Sequence, residues 1–398
     1  MTTPRLFAIL FITACTTIAW FLLGSALSSR THGSGAAATM AVLEGWGPPM
    51  EQVHPQAWYQ SPGPGDARKT LRPSVSKVNV ALSYTPRHKG LLWYRAYTAI
   101  FRGEYEITNP APIPQTIYVQ FQLPSPDAGY SEFFFSLNGK PTTANISGKQ
   151  PIIEAVPLAP GESATLLVGY QTRGLDRWSY SFGTEPRVQN FQLSMKTDFE
   201  EVDFPSSSPT ERVKSGKGWD FVWAYPDEIG ARAVTMDMPK VLNPGPVAAR
   251  ISFFAPISLI FFFSVLVMLC LMQRIELHPM NFFFLAAGCF AFQLLFAYLV
   301  DLIPLGVAFA IAALVSLVLV SGYLFLARGF RFAKYAALAQ FGCMVLFSYS
   351  FFFDGLTGLT ITIGAILILA IMMIATAKVN WSLRFSRKSV PPPFASQA

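Results

Sequence analysis

Four histidines, four cysteines and two acidic clusters are the residues of this 398-residue chain whose types could do chemistry. A zinc site or a nucleophile–imidazole pair needs a histidine beside a second ligand or base. His32 and His54 lie in a Gly/Pro/Ser-rich stretch, His88 stands between Arg87 and Lys89, and His278 precedes Pro279. No two of them have the i, i+4 spacing of a helical metal motif. Cys15, Cys270, Cys289 and Cys343 fall inside apolar segments, so the long stretch from Ser28 to Arg250 can build neither a disulfide nor a thiolate site. Glu200, Glu201 and Asp203 form one carboxylate group and Asp227 with Glu228 a second. A glycosidase needs two carboxylates facing each other across a cleft, whereas neighbouring acids at strand ends form a solvated surface. No catalytic, cofactor-binding or metal-binding constellation results. The chain is expected not to be an enzyme and to carry no cofactor.

Aromatic and amide side chains are the next candidates. Trp93, Tyr94, Trp178, Tyr180, Trp219, Trp223 and Tyr225 could stack sugar rings, but the alternation of Trp219, Phe221 and Trp223 favours a strand with its aromatics in a core. Gln293 and Gln340 lie within apolar segments, where amides bond between helices more often than they line a pathway. Glu276, Asp301 and Asp354 all fall at segment ends, which argues against an ion-coupled transporter with a charge kept at mid-membrane. The polar connection before Pro279 offers Arg274, Glu276 and His278 as a cytoplasmic contact loop. The competing reading is a charged hairpin that fixes orientation, with His278-Pro279 starting a helix.

These residues are positioned by a chain of two kinds. Residues 251–377 hold five consecutive apolar segments, about 251–272, 279–300, 303–327, 332–353 and 356–377. Each has the length needed to cross a hydrocarbon core of about 30 Å. Residues 6–27 form a sixth, longer than the apolar core of a signal peptide, and are expected to remain as an anchor after the cytoplasmic residues 1–5. Arg5, Arg274, Arg328, Arg331, Lys334, Lys378, Arg384, Arg387 and Lys388 cluster at one set of ends, while Asp301 and Asp354 mark the opposite ends. The positive-inside rule then places both termini in the cytoplasm and residues 28–250 outside the inner membrane. The net charge of +7 is therefore explained by orientation. Without a basic run interleaved with aromatics in residues 28–250, nucleic acid is not an expected partner. The lipid bilayer is.

Residues 28–70, rich in Gly, Pro and Ser, are expected to form a tether. Residues 71–250 switch to strand periodicity. Thr116 to Leu123 and Phe191 to Thr197 alternate polar and apolar. Phe133 to Leu137 runs into Asn138-Gly139, a two-residue hairpin signal. Many short strands with Pro/Gly turns predict an all-β, sandwich-like domain between the first and second of six transmembrane helices. The tail, residues 378–398, is basic and ends in a Pro-rich run, so disorder is expected there.

This architecture resembles the CreD family of bacterial inner-membrane proteins. The likeness is carried by Arg274-Ile275-Glu276-Leu277-His278-Pro279-Met280-Asn281, by Leu302 to Phe309, by Thr360 to Gly364 and by Lys378 to Trp381. Phe101-Arg102-Gly103-Glu104-Tyr105 resembles a strand of the family's exported domain. The resemblance implies a role in cell-envelope integrity and brings no catalytic residue, cofactor or substrate. Three functions are then in play: a membrane protein that presents the β-domain to an envelope protein or glycan, a transport or export component, and an exported hydrolase, which ranks last.

Overall fold

The computed structural model describes residues 3–60, 68–89, 92–142, 146, 148–183, 187–273, 275–353 and 355–377. Two compact units emerge, Ser34–Val241 on one hand and Met1–Gly33 with Leu242–Ala398 on the other. In chain order the elements are α1 (Thr3–Trp46), β1 (Met50–Val53), β2 (Gln56–Gln60), β3 (Arg68–Leu71), β4 (Val75–Tyr84), β5 (Arg87–Lys89), β6 (Leu92–Tyr94), β7 (Ala96–Thr108) and β8 (Gln115–Phe121). Next come β9 (Tyr130–Leu137), β10 (Lys140–Pro141), β11 (Ile152–Leu158), β12 (Ser163–Leu175), β13 (Arg177–Ser181), β14 (Arg187–Thr197), β15 (Glu211–Ser215), β16 (Gly218–Ile229) and β17 (Val234–Asp237). The helices α2 (Pro244–Gln273), α3 (Pro279–Leu299), α4 (Leu305–Arg328) and α5 (Phe330–Gln340) follow. A π-helical stretch, Phe341–Leu346, joins α5 to α6 (Phe347–Tyr349), and α7 (Thr357–Thr376) comes last.

The β unit is a sandwich. An eight-stranded sheet in the order β10-β9-β12-β7-β4-β14-β16-β15 faces a four-stranded sheet, β11-β8-β2-β3, and a three-stranded sheet, β1-β13-β17, completes the core. Sequence alternation explains the layering, since Phe101, Tyr105 and Ile107 of β7 and Ile117, Val119 and Phe121 of β8 are buried while their neighbours are not. Phe101 and Phe121 meet across the layers with ring centroids 6.4 Å apart. The Asn138-Gly139 signal forms the β9–β10 turn with φ of 51° and 80°, the left-handed values that a two-residue turn of this type needs. Gly103 is fixed by its neighbour: a Cβ there would come within 2.6 Å of the Tyr105 ring, which lies over it. The Pro-rich run after β7 is held by buried Asn109, whose Nδ2 donates to the carbonyls of Ile113 and Leu158 at 3.0 Å while its Oδ1 accepts from Ala111 N at 3.0 Å.

The structure corrects the expected tether. Residues 28–46 continue α1, and β1, β2 and β3 supply strands to two sheets of the sandwich. Ala36 to Leu43 is rich in strong helix formers, and extending an existing helix costs far less than nucleating one. Val42 is buried with Ala96 and Leu175, and Gly47, at φ 77°, ends the helix with its N–H on the Leu43 carbonyl at 2.8 Å. His54 is corrected with it. It is buried in the sandwich, with Nδ1 2.7 Å from the Tyr180 hydroxyl, which in turn lies 2.9 Å from that of Tyr105.

In the other unit, six helices are long and apolar enough to cross a membrane among the described residues. Their outward faces carry Leu, Ile, Val and Phe, as contact with lipid requires. The second span begins earlier than expected, at Pro244. Asp354 and the tail 378–398 lie outside the described residues.

Burial pushes the His54 imidazole down to about 3, so it stays neutral in the fold at every physiological pH. An exposed histidine in the unfolded chain titrates near 6.5. Between these values the unfolded state binds the extra proton, so stability falls as pH falls, by about 2 kcal/mol from pH 6.5 to 5. His54→Gln should remove that part of the slope, measured as the wild-type minus variant difference in unfolding free energy of the full chain at the two pH values.

Candidate functional site

The loop singled out before Pro279 is engaged within the chain. Arg5 Nη1 donates to Glu276 Oε2 at 2.9 Å, and Arg328 donates to the Glu276 carbonyl oxygen. His278 is the N-cap of α3: its Nδ1 accepts from Met280 N at 3.2 Å, and Pro279 occupies the first helical position. Three helix ends are thereby tied together. Arg274 lies outside the described residues. The Arg5 guanidinium holds the Glu276 carboxyl below the usual glutamate range.

The carboxylate clusters do not converge on a cleft. Glu200 is bonded to Lys214 at 2.8 Å, Glu201 accepts from Lys240 N, Asp203 bridges to Asp237 through the backbone, and Asp227 is paired with Arg187. Nor do the aromatics form a platform. Trp178, Tyr180 and Trp223 are fully buried, and Trp219 spends its indole N–H on the Glu200 carbonyl at 3.1 Å. Trp93 is the exposed one, at 37%, with its ring 4.9 Å from that of His88 on the β5–β6 hairpin. The sequence motifs thus turn out to be caps, pairs and core.

Two places that those motifs did not mark hold the better-built sites. The first is a groove of about 420 Å³ on the outer face of the eight-stranded sheet. Register assembles it: Arg102, Asn79, Ser194 and Val222 are successive cross-strand neighbours on β7, β4, β14 and β16, and Ile100, Ala81, Lys196 and Asp220 form the next row. Short side chains in the middle (Asn79, Ala81, Ser194) between long ones at the sides make the surface concave. The lining offers two cations, an amide and a hydroxyl beside apolar Ile100 and Val222. Asp220 Oδ1 is shielded from solvent and has no hydrogen-bond partner among the described residues.

The second is a polar layer in the membrane unit. Trp20, Ser258, Gln293, Ser316 and Gln340 come from five different spans, each well inside its segment, and all are at most 2% exposed. Trp20 Nε1 donates to Gln293 Oε1 at 3.3 Å, Ser316 Oγ donates to the Gly288 carbonyl at 2.7 Å, and Gln340 Nε2 donates to Ser316 Oγ at 3.0 Å. Directly after Gln340 the helix widens into the π-helical stretch, a distortion that recurs at functional sites.

Residues 226–382 match the family described as inner membrane protein CreD. No curated protein matches the chain. Among solved structures, a putative nutrient binding protein from Legionella pneumophila is 11% identical, with 54% of this chain and 75% of that one covered and a TM-score of 0.32. An M1 zinc metallopeptidase from Deinococcus radiodurans is 12% identical, with 41% of this chain and 42% of that one covered and a TM-score of 0.26. At these scores neither fold nor activity carries across. The family match bears out the CreD resemblance and, with the six apolar helices, makes this a multi-pass inner-membrane protein in contact with the lipid bilayer.

Two outcomes check these assignments. Trp223→Ala should destabilise the sandwich by about 3–5 kcal/mol, while Trp93→Ala should stay within about 0.5 kcal/mol, read as unfolding free energies of the full chain. For Glu276 the sign is that of a depressed carboxyl. Its pairing with Arg5 stabilises fully above the ordinary value of about 4.3 and is lost as pH falls through the lower folded value. Glu276→Gln should therefore lower the thermal transition slightly at neutral pH and converge on the wild type as pH falls below about 4.3, which flattens the acid limb of the profile.

Proposed function

We propose that this chain, whose residues 226–382 belong to the CreD family of inner membrane proteins, presents its β-sandwich to an envelope component and acts by binding, not by catalysis. The observation that carries the reading is the groove centred on Arg102, Asn79, Ser194 and Lys196, a concave, mixed polar and apolar surface on the outer face of the eight-stranded sheet. Such a lining suits an extended glycan or peptide, which brings acidic or amide groups for the two cations and hydrogen-bond donors for the Asp220 carboxylate. Hydrolysis finds no support in the carboxylates, since those of both clusters named above that have described partners are held in pairs or on the backbone.

Sidedness belongs to the same reading. Arg5, Arg328, Arg331 and Lys334 at one set of span ends support, by the positive-inside rule, an orientation with the termini in the cytoplasm and residues 28–250 in the periplasm, where envelope components are met. That orientation and the family match support a role in envelope integrity. A second reading, a transport component, draws on the polar layer buried in the bundle.

The test is a photo-crosslinking residue at Ile100 or Lys196 in the full chain in cells, with Ile229, which is more exposed than Ile100, as the control outside the groove. A shared adduct from Ile100 and Lys196 that Ile229 does not give, and that Arg102→Glu abolishes, is the expected outcome. Equal adducts at all three positions, or none at any, would remove the groove from the function.

A further inference from the structure

In hydrocarbon an unpaired polar atom has no bulk water to turn to, so leaving it bare is strongly unfavourable. The donors and acceptors of the membrane layer can be assigned without ambiguity. An indole N–H can only donate, so Gln293 must offer its oxygen to Trp20. The Gly288 carbonyl can only accept, so the Ser316 hydroxyl proton is spent there and Gln340 must offer its N–H to the Ser316 oxygen. What remains is a donor, Gln293 Nε2, and an acceptor, Gln340 Oε1, both fully shielded and without a partner among the described residues. Both residues are 1% exposed.

Ser348 Oγ and Asp301 Oδ1 share that condition in this unit. Their positions have a direction. Along α3, Gln293 lies about 7.5 Å beyond Gly288, and Asp301 follows about 12 Å further on. Ser348 lies about two turns beyond Gln340, past the π-helical stretch, towards the same end, because α3 and α5 run the same way on either side of α4. The Arg30–Asp301 ion pair, at 2.8 Å, marks that end on the first span as well. Towards the opposite end the interior is apolar: Phe282, Leu324 and Phe332 are at most 1% exposed, with the Arg5–Glu276 pair beyond them. Among the described residues, these unsatisfied hydrogen-bonding atoms therefore run from the Asp301 end to mid-span.

We infer that the bundle holds a file of water entering from the Asp301 end, passing Ser348 and Gln293, and ending at Gln340 near the bilayer midplane. Water is the occupant that the chemistry selects. The free groups are of both polarities, one amide donor, one amide acceptor, one hydroxyl and, at the mouth, one carboxylate oxygen, and water is both donor and acceptor. The Trp20–Gln293–Ser316–Gln340 layer itself contributes no carboxylate, ammonium, guanidinium or imidazole, so nothing in it would compensate an ion. Bridging waters are nearly as good as direct bonds at a small entropic cost. The π-helical stretch explains how Ser348 joins the file. Ser252, Ser264 and Ser321 spend their hydroxyls on the carbonyl four residues back, and Ser348, placed just after the widened turn, does not. This inference is independent of the groove on the sandwich.

Hydroxyl radicals generated by X-rays from buried water mark the side chains beside it. The full chain in lipid nanodiscs is irradiated and its modification read by mass spectrometry at four phenylalanines, each at most 1% exposed: Phe292 and Phe296 along the file, Phe282 and Phe332 beyond its end. Phe292 and Phe296 should be modified several-fold faster than Phe282 and Phe332. In Gln293→Leu the Phe292 rate should fall towards that of Phe282, with the thermal transition recording that the bundle is still folded. Equal, slow rates at all four positions in the wild-type chain would overturn the inference, whatever the variant does.

Discussion

Inside a hydrocarbon slab a hydrogen-bonding group is satisfied by the protein or by water carried in with it, and that constraint organises the membrane unit. Most of its hydroxyls are silenced locally: Thr13, Thr16, Thr17, Ser252 and Thr362 each return their proton to a carbonyl four residues back. The apolar faces of the helices are largely interchangeable, since lipid tails are as apolar as leucine. The few bonds that cross between helices therefore carry much of the specificity. Trp20 to Gln293 joins the first span to α3, Ser316 to the Gly288 carbonyl joins α4 to α3, and Gln340 to Ser316 joins α5 to α4. At the helix ends the same task falls to charge, with Arg5 and Arg328 both meeting Glu276.

The β unit meets the opposite solvent and solves the opposite problem. Water satisfies its outer face for free, and the difficulty is to bury enough apolar surface in a sandwich built partly of short strands. Aromatic side chains supply that surface, with Phe101, Tyr170, Tyr180 and Phe191 in ring contact through the middle of the core. Their hydroxyls must then be paired. Tyr170 donates to Gln52 Oε1 at 2.7 Å, and Tyr105 and Tyr180 complete a chain that ends on neutral His54. A residue type that suggests catalysis is here one member of a buried hydrogen-bond network.

That reversal recurs wherever a candidate was chosen by residue type. His278 reads in sequence as either ligand or cap, and only its distance to Met280 N decides for the cap. Glu276 reads as an exposed loop charge, until a cation from the chain's other end meets it at 2.9 Å. Gln293 and Gln340 could be located in sequence but not paired, because their partners lie on other spans. The sandwich groove was not visible at all: its rows join residues 79–81, 100–102, 194–196 and 220–222, and a one-residue change of register on any strand would dissolve it.

What the sequence by itself determined is whatever follows from local pattern. Apolar length settled the number of spans, alternation settled most of the strands, and Asn138-Gly139 settled a turn, because each depends on residues a few positions apart. It misjudged residues 28–60, where Gly and Pro outweighed the helix formers in composition; propagation from an existing helix and burial of Met50 and Ala57 decided otherwise. Tertiary structure alone decided the sheet order, the cross-helix bonds and both sites. Each of these is a meeting of residues far apart in the chain, and the energy of such a meeting depends on register and geometry that no short stretch contains.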